Sequence, residues 1–234
     1  MKALILFLCF SAHAADLTAY GGKCDNVFDN TPALNSAIAA AIASPTDKTI
    51  NIPAGDCNFN SQPATLKAGI GILGQGKAVT VLHRNYNGNF LHIEGNGVRV
   101  KDLTIYANAN TTGGIGIEMV ASDAVGSGGN HVISSVWITG MGTWAIPLGA
   151  WGHERYQLPA GIRAIILQDV SVFNATWQAM TWWGCVSCEW FGGGAYQGFG
   201  TTQAIVIGGN NAYKDYVSAN VDWASSTVYS GVMR

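Results

Sequence analysis

The chain has 234 residues, of which 48% are hydrophobic and only 11% charged, with 30 Gly and a formal net charge of −2. So apolar a chain can bury a core, which argues against disorder, and the absence of a long basic run argues against nucleic acid as the main partner, since phosphate binding rests on Lys and Arg. Charge at less than half the usual share of about 25%, with Gly well above its usual ~7%, also disfavours a helical bundle and suggests many short strands joined by tight turns.

Residues 1–14 begin Met1-Lys2, run almost wholly apolar from Ala3 to Phe10 and end Ser11-Ala12-His13-Ala14. A positive start, a short apolar stretch and a small-residue ending read as a secretory signal peptide, with a buried N-terminal strand as the alternative. No later apolar run is long enough for a membrane span, so no membrane partner is expected once the signal is removed. Cys9 lies inside this segment. The remaining Cys24, Cys57, Cys185 and Cys188 form an even set, as an oxidising compartment favours. Three connectivities are open, and the expected one is Cys24–Cys57 with Cys185–Cys188. A redox dithiol or half a zinc site at Cys185-Val186-Ser187-Cys188 is the alternative, but it lacks a βαβ context and a second C-x-x-C.

One helix is predicted, with Thr31 as N-cap, Pro32 in the first position, Leu34, Ile38 and Ile42 recurring every four residues, and Ser44-Pro45 as its end. Short β runs follow at 49–53, 70–74, 79–82 and 90–93. A related alternation then returns at 98–105, 131–138 and 165–172, with a degenerate copy at Val221-Asp222-Trp223. The matching positions Leu103, Val136, Val170 and Val221 lie 33, 34 and 51 residues apart, and the last gap has room for an extra unit around Cys185 to Trp190. Strand units recurring at tens of residues, with loops of variable length, indicate a solenoid and not a sandwich. The predicted fold is all-β, a parallel β-helix, with Gly and Asn at the corners and apolar side chains stacked inward.

The stretch from Leu17 to Leu34, with Tyr20-Gly21, Asp25-Asn26, Asp29-Asn30-Thr31 and Ala33-Leu34, resembles the opening of the pectate-lyase-like superfamily. Ile50-Asn51-Ile52-Pro53-Ala54-Gly55 and Leu73-Gly74-Gln75-Gly76 match the elements that follow there. The resemblance implies a right-handed parallel β-helix with an N-terminal α-helical cap over 17–45 and coils over 46–234, a single domain spanning 15–234. Members include secreted polysaccharide-degrading enzymes, epimerases, and phage tailspikes that bind or cut surface glycans. Two positions depart from the pattern: Asn26 stands where Gly is usual, and Asn30 where a second Asp is usual. The paired-Asp motifs of the polygalacturonase branch are not recognisable, so membership carries no activity with it.

Fourteen Asp and Glu are present, and glycoside hydrolysis usually needs two carboxylates about 5–9.5 Å apart. Asp102 and Asp169 share a repeat position two coils apart and form one candidate catalytic pair; the plainer reading is that both serve turns. A second candidate is the loop holding His153, Glu154, Arg155 and Tyr156. There His153 or Tyr156 can act as base on a uronate and Arg155 as electrostatic clamp, or the loop is simply solvated. Asp123 and His131 flank a Gly/Ser-rich turn. No metal or cofactor is expected, with calcium at that turn as the alternative. Glu118 and Glu189 read as lone acids.

All eight Trp lie after residue 136. Trp151, Trp182 and Trp183 are candidate substrate-binding platforms, since outward rings of successive coils offer flat faces to sugars; core packing and a partner contact are the alternatives. The last residues hold no capping helix, which suggests a covering loop, a missing domain, a homotrimer or another partner at that end. The expected function is an exported polysaccharide-binding protein, a polysaccharide lyase or glycoside hydrolase if active. The alternatives are a tailspike or tail-fibre-like adhesin of a virion and a non-catalytic structural surface solenoid.

Overall fold

The computed structural model describes residues 15–108, 114–120, 129–140, 144–149, 164–173, 178–183, 186–196, 203–208, 218–221 and 227–229. In chain order the elements are β1 (Ala15–Asp16), a 3-10 turn (Leu17–Tyr20), β2 (Asp25–Asp29), α1 (Thr31–Ala43), β3 (Thr49–Asn51), β4 (Gly55–Phe59), β5 (Gly71–Leu73), β6 (Thr80–Arg84), β7 (Leu91–Glu94) and β8 (Arg99–Ala107). There follow β9 (Ile117–Val120), β10 (Val132–Thr139), β11 (Trp144–Gly149), β12 (Ile166–Phe173), β13 (Gln178–Trp183), β14 (Val186–Tyr196), β15 (Gln203–Gly208), β16 (Ser218–Val221) and β17 (Thr227–Tyr229).

Every strand pairing is parallel. Sheet A runs β1-β3-β5-β8-β10-β12-β14-β16, and β2-β4-β6 form a second row that also ends on β8. Sheet B runs β7-β9-β11-β13-β15. From β6 to β16 the chain visits the two sheets in alternation, always in parallel register, as a parallel β-helix does. Val136 pairs with both Leu103 and Val170, as the repeat predicts. Val221, by contrast, pairs with Trp190 and so aligns with Leu167 and not with Val170. The extra unit is β14, which Val170 meets at Gly193 and which carries β16 on one half and β17 on the other.

Two corner columns bend each coil. Asp102, Ser135, Asp169 and Gly192 all have positive φ (56°, 51°, 52° and 68°), and so do Gly69, Gly97, Asn130 and Ala164 (77°, 72°, 54° and 51°). The left-handed region is costly for most L-residues and least so for Gly, Asn and Asp, which explains the composition of these columns. In the first coils the bend is a whole loop between β5 and β6; from β8 onward it shrinks to one residue, so two short strands become one long kinked strand. Gly193, next to Gly192 of the first column, admits no other residue, because a Cβ there would overlap the carbonyl oxygen of Val170.

The core is an aliphatic interior of stacked rows, among them Ile72-Val100-Ile133-Leu167 and Leu82-Ile105-Ile138-Val172, all buried. The helix begins at Thr31 with Asn30 at the cap position, and Asp29 Oδ1 accepts the Thr31 N–H at 3.0 Å. Leu34, Ala37, Ile38 and Ala41 are buried, whereas Ile42 is 47% exposed. A strict four-residue step drifts around a helix of 3.6 residues per turn, so the buried stripe continues through Ala41. The helix packs on β1, β3 and the 3-10 turn.

Both departures from the N-terminal pattern have local reasons. Asn26 takes positive φ (62°), a conformation that Asn tolerates almost as Gly does. The fully buried Asn30 uses its amide as donor and acceptor at once: Nδ2 donates to the carbonyls of Lys23 and Phe28, and Oδ1 accepts the Lys23 N–H. A carboxylate cannot make that set. The Cys24–Cys57 disulfide is present and ties this segment to β4 across 33 residues of sequence. Closing a loop of that size is worth about 2–4 kcal/mol in the chain-entropy account.

His131 occupies the inward row of Ile70, Val98 and Ile165, wholly buried. Its Nδ1 accepts the Val98 N–H at 3.2 Å, and Nε2 has no partner among the described residues. Burial pushes its pKa down from 6.5 to about 4. The unfolded chain therefore binds the extra proton between those values, so stability falls as pH drops below 6.5 and levels off near 4. We expect a loss of about 2–3 kcal/mol between about pH 7 and about pH 4.5. Thermal unfolding across that range should show it, and His131→Val should flatten the profile.

Candidate functional site

Strand β7 alternates, with Leu91 and Ile93 buried and His92 and Glu94 only half-buried on the outer face of sheet B. Strand β9 repeats the pattern around Glu118, and the parallel register sets His92 directly against Glu118. His92 Nδ1 lies 2.7 Å from Glu118 Oε2, and His92 Nε2 lies 3.0 Å from Glu94 Oε1. Lys67 Nζ donates to the other Glu94 oxygen at 2.5 Å. Asn89 Nδ2 donates to Glu118 at 2.9 Å, and the Asn89 carbonyl accepts the Tyr86 hydroxyl at 2.7 Å, which anchors the turn behind the cluster.

A ring with a carboxylate on each nitrogen is best satisfied as imidazolium, with both nitrogens donating. The hydrogen bond to Glu118 is the main cause that raises the His92 pKa; burial opposes it and Glu94 adds to it. Glu94 is held below its ordinary value chiefly by Lys67, with His92 assisting and burial opposing. Glu118 is the deepest member, its side chain 11% exposed against 21% for His92 and 32% for Glu94. The arrangement is a buried carboxylate fixing an imidazole through Nδ1, with the Nε2 side held by the more exposed Glu94, a geometry suited to proton transfer.

Sequence reasoning missed this cluster by treating Glu118 as alone, and the register corrects that reading. The signal was available: aligning Leu91-His92-Ile93 with Ile117-Glu118-Met119 by their inward residues sets the two side chains opposite. Among the described residues no group of His, Cys, Asp and Glu has the geometry to hold a metal ion.

Asp102 and Asp169 lie on the other sheet, both at the left-handed corner of sheet A, with Ser135 between them. Asp102 faces Lys101 at 3.3 Å. Asp169 receives both Lys77 (2.8 and 2.7 Å to its two oxygens) and the Ser135 hydroxyl at 3.2 Å. Lys77 also stands 5.4 Å from the centre of the Trp137 ring. The bend demands their conformation, and the charge that Asp169 brings is matched by Lys77.

Trp182 takes the register column of Met119 and Leu148 in sheet B, and Trp183 the column of Gly149 and Gly208. Cys188 is in β14, opposite Ala219. The candidates Trp151, His153, Glu154, Arg155 and Tyr156, together with Cys185 and Asp123, lie outside the described residues. Glu189 is exposed.

No family model matches the chain, and no curated protein matches it. Solved structures do match. The mannuronan C-5 epimerase AlgE4 A-module of Azotobacter vinelandii aligns over 82% of this chain with TM-score 0.62 and 16% identity, covering 53% of that module. The Agl-KA catalytic domain aligns over 84% of this chain with TM-score 0.58 and 15% identity, covering 36% of its own length. ORF18 of Geobacillus virus E2 aligns over 83% with TM-score 0.57 and 11% identity, covering 40% of that chain. The chain thus spans about half the length, or less, of these three. The fold that these structures share with the chain is a right-handed parallel β-helix.

Two outcomes follow from the site geometry. NMR titration should place the His92 pKa above 6.5, and Glu118→Gln should lower it. Stability gained from this raised pKa is present below 6.5 and lost as pH rises through the folded value, opposite in sign to His131. At the corner, Asp169→Asn should cost at most about 1 kcal/mol, the worth of a part-exposed ion pair. Asp169→Val should cost about 1–2 kcal/mol more, for the left-handed backbone; urea unfolding compares the two.

Proposed function

We propose that the protein is an exported carbohydrate-active β-helix that binds an extended glycan and carries out acid–base chemistry on it at His92. The observation that carries this reading is the outer face of sheet B, where His92 has a carboxylate on each ring nitrogen. In this reading His92 Nε2 gives its proton to the glycosidic oxygen that leaves, Glu118 positions the ring through Nδ1, and Glu94, held by Lys67, gives up its hydrogen bond to Nε2 as substrate enters. The reaction is glycoside hydrolysis or lyase cleavage of a uronate. The solved chains of like fold support the carbohydrate reading, since one is named as an epimerase of mannuronan.

Export is supported by the Cys24–Cys57 disulfide, because such bonds persist in oxidising compartments. No helix among the described residues is long and apolar enough to cross a membrane. The position of α1 against β1 and β3 supports its reading as the cap of the first coil.

A panel of neutral and uronate-containing polysaccharides tests the activity. Reducing ends without ultraviolet absorbance identify a hydrolase, and an unsaturated product a lyase. We expect His92→Gln to lower kcat by about 10²–10⁴-fold. Glu118→Gln should lower kcat and move the pH profile toward acid, as a purely structural role would not. Glycan binding with no product from any member would favour the tailspike-like adhesin, a reading for which the likeness to a viral chain speaks.

A further inference from the structure

Between its two corner columns, sheet A presents an outer face with an ordered charge pattern. One outward column is Arg99-Val132-Ile166-Glu189, and beside it runs Lys101-Ser134-Gln168-Phe191, each residue paired in register with the next coil. Val100, Ile133 and Leu167 alternate with them and are buried, so both columns face outward. Arg99, Lys101, Gln168 and Glu189 are exposed, and Val132, Ile166 and Phe191 are half-buried. Ser134, 8% exposed, is a low point between the longer Lys101 and Gln168.

The first column is positive at one end, aliphatic in the middle and negative at the other. Three coil steps set Arg99 and Glu189 about 14 Å apart. Neither has an ion-pair partner among the described residues, whereas Lys77 is matched by Asp169 and Lys101 by Asp102. The pattern is complementary to its own reverse. A two-fold axis along the strand direction, between β10 and β12, lays a second copy on this face with its coil order reversed. Arg99 then meets the partner's Glu189, Val132 the partner's Ile166, and Lys101 the partner's Phe191. Gln168 comes over the low point at the partner's Ser134. The corner column alongside sets Asp102 against the partner's Gly192 and Asp169 against the partner's Ser135, so no like charges are opposed. Every contact occurs twice, as closed two-fold pairing requires. The central Val132 and Ile166 offer packing to another apolar surface and no hydrogen bonds to a sugar.

We propose that two copies of this chain associate through this face with their helix axes antiparallel, an Arg99–Glu189 pair at each end of a Val132–Ile166 centre. The two columns supply far fewer residues than the roughly 20–30 a side of a standard interface, so the dimer is weak and forms on the order of tens of micromolar. The His92 cluster lies on sheet B and stays clear of the contact. The proposal is independent of the carbohydrate reading.

Sedimentation velocity of the full chain, from low micromolar to near-millimolar concentration, tests it. The expected result is a monomer–dimer equilibrium that salt weakens. Arg99→Glu and Glu189→Arg should each weaken the dimer by about tenfold or more, because like charges then face each other twice. An equal mixture of the two variants should dimerise as the parent does, since each copy supplies the charge that the other lacks. The double variant, Arg99→Glu with Glu189→Arg, should also recover, and circular dichroism checks that every variant is folded. A monomer at all concentrations overturns the proposal. So does a dimer that both charge variants leave unchanged, which belongs to another face. Loss in both variants with no recovery in the mixture overturns the antiparallel pairing, and a trimer or a longer array of copies overturns the closed two-fold contact.

Discussion

Parallel register between coils is the constraint on which everything else depends. Once Val100, Ile133 and Leu167 stack inward, every other residue of their strands has its side and its neighbours assigned, because a one-residue slip would send the aliphatic row to solvent. The corners make that stacking possible. Asp102, Ser135, Asp169 and Gly192 hold one bend in the same left-handed conformation on four successive coils. Groups far apart in sequence thereby come together in space, His92 and Glu118 from adjacent coils and Lys77 and Asp169 from coils three apart.

The scarcity of charge looks different in this light. A β-helix with an aliphatic interior needs few charges, and several of those on the described faces are paired across coils. Lys77 reaches across coils to Asp169 over the Trp137 ring, and Lys67 meets Glu94, which also meets His92. Such part-exposed pairs stabilise little by themselves. Their effect is to fix where side chains point, so the charge of a corner Asp does not leave an open anionic site.

Much of the architecture was legible in the residues because periodicity reports on backbone and burial. The strand runs at 98–105, 131–138 and 165–172 come within one or two residues of β8, β10 and β12. The N-terminal motif held even where Asn26 and Asn30 replace the usual residues, for each supplies the conformation or the hydrogen bonds that the site requires. The degenerate copy at Val221 misled by three positions, because β14 is long enough to carry two strands and similarity alone does not say which half is met. The site was harder to read. A cluster on a β-helix surface is assembled across coils, so searching for His, Glu and Arg close together in sequence favours loops and misses residues such as His92 and Glu118.

Three histidines show how the same side chain is given different work by its row. His131 replaces an aliphatic in an inward row, where burial keeps it neutral and makes it an acid-sensitive defect of the core. His92 faces outward between two carboxylates, which favour its charge. His83 also faces outward, but Asp56 holds one nitrogen and the Tyr106 ring meets it edge to face. Of the three, only His92 has a carboxylate on each ring nitrogen, the deeper Glu118 on Nδ1 and the more exposed Glu94 on Nε2. That double hold singles out His92 for proton transfer, whereas burial keeps His131 neutral and Asp56 with the Tyr106 ring fixes His83 in place.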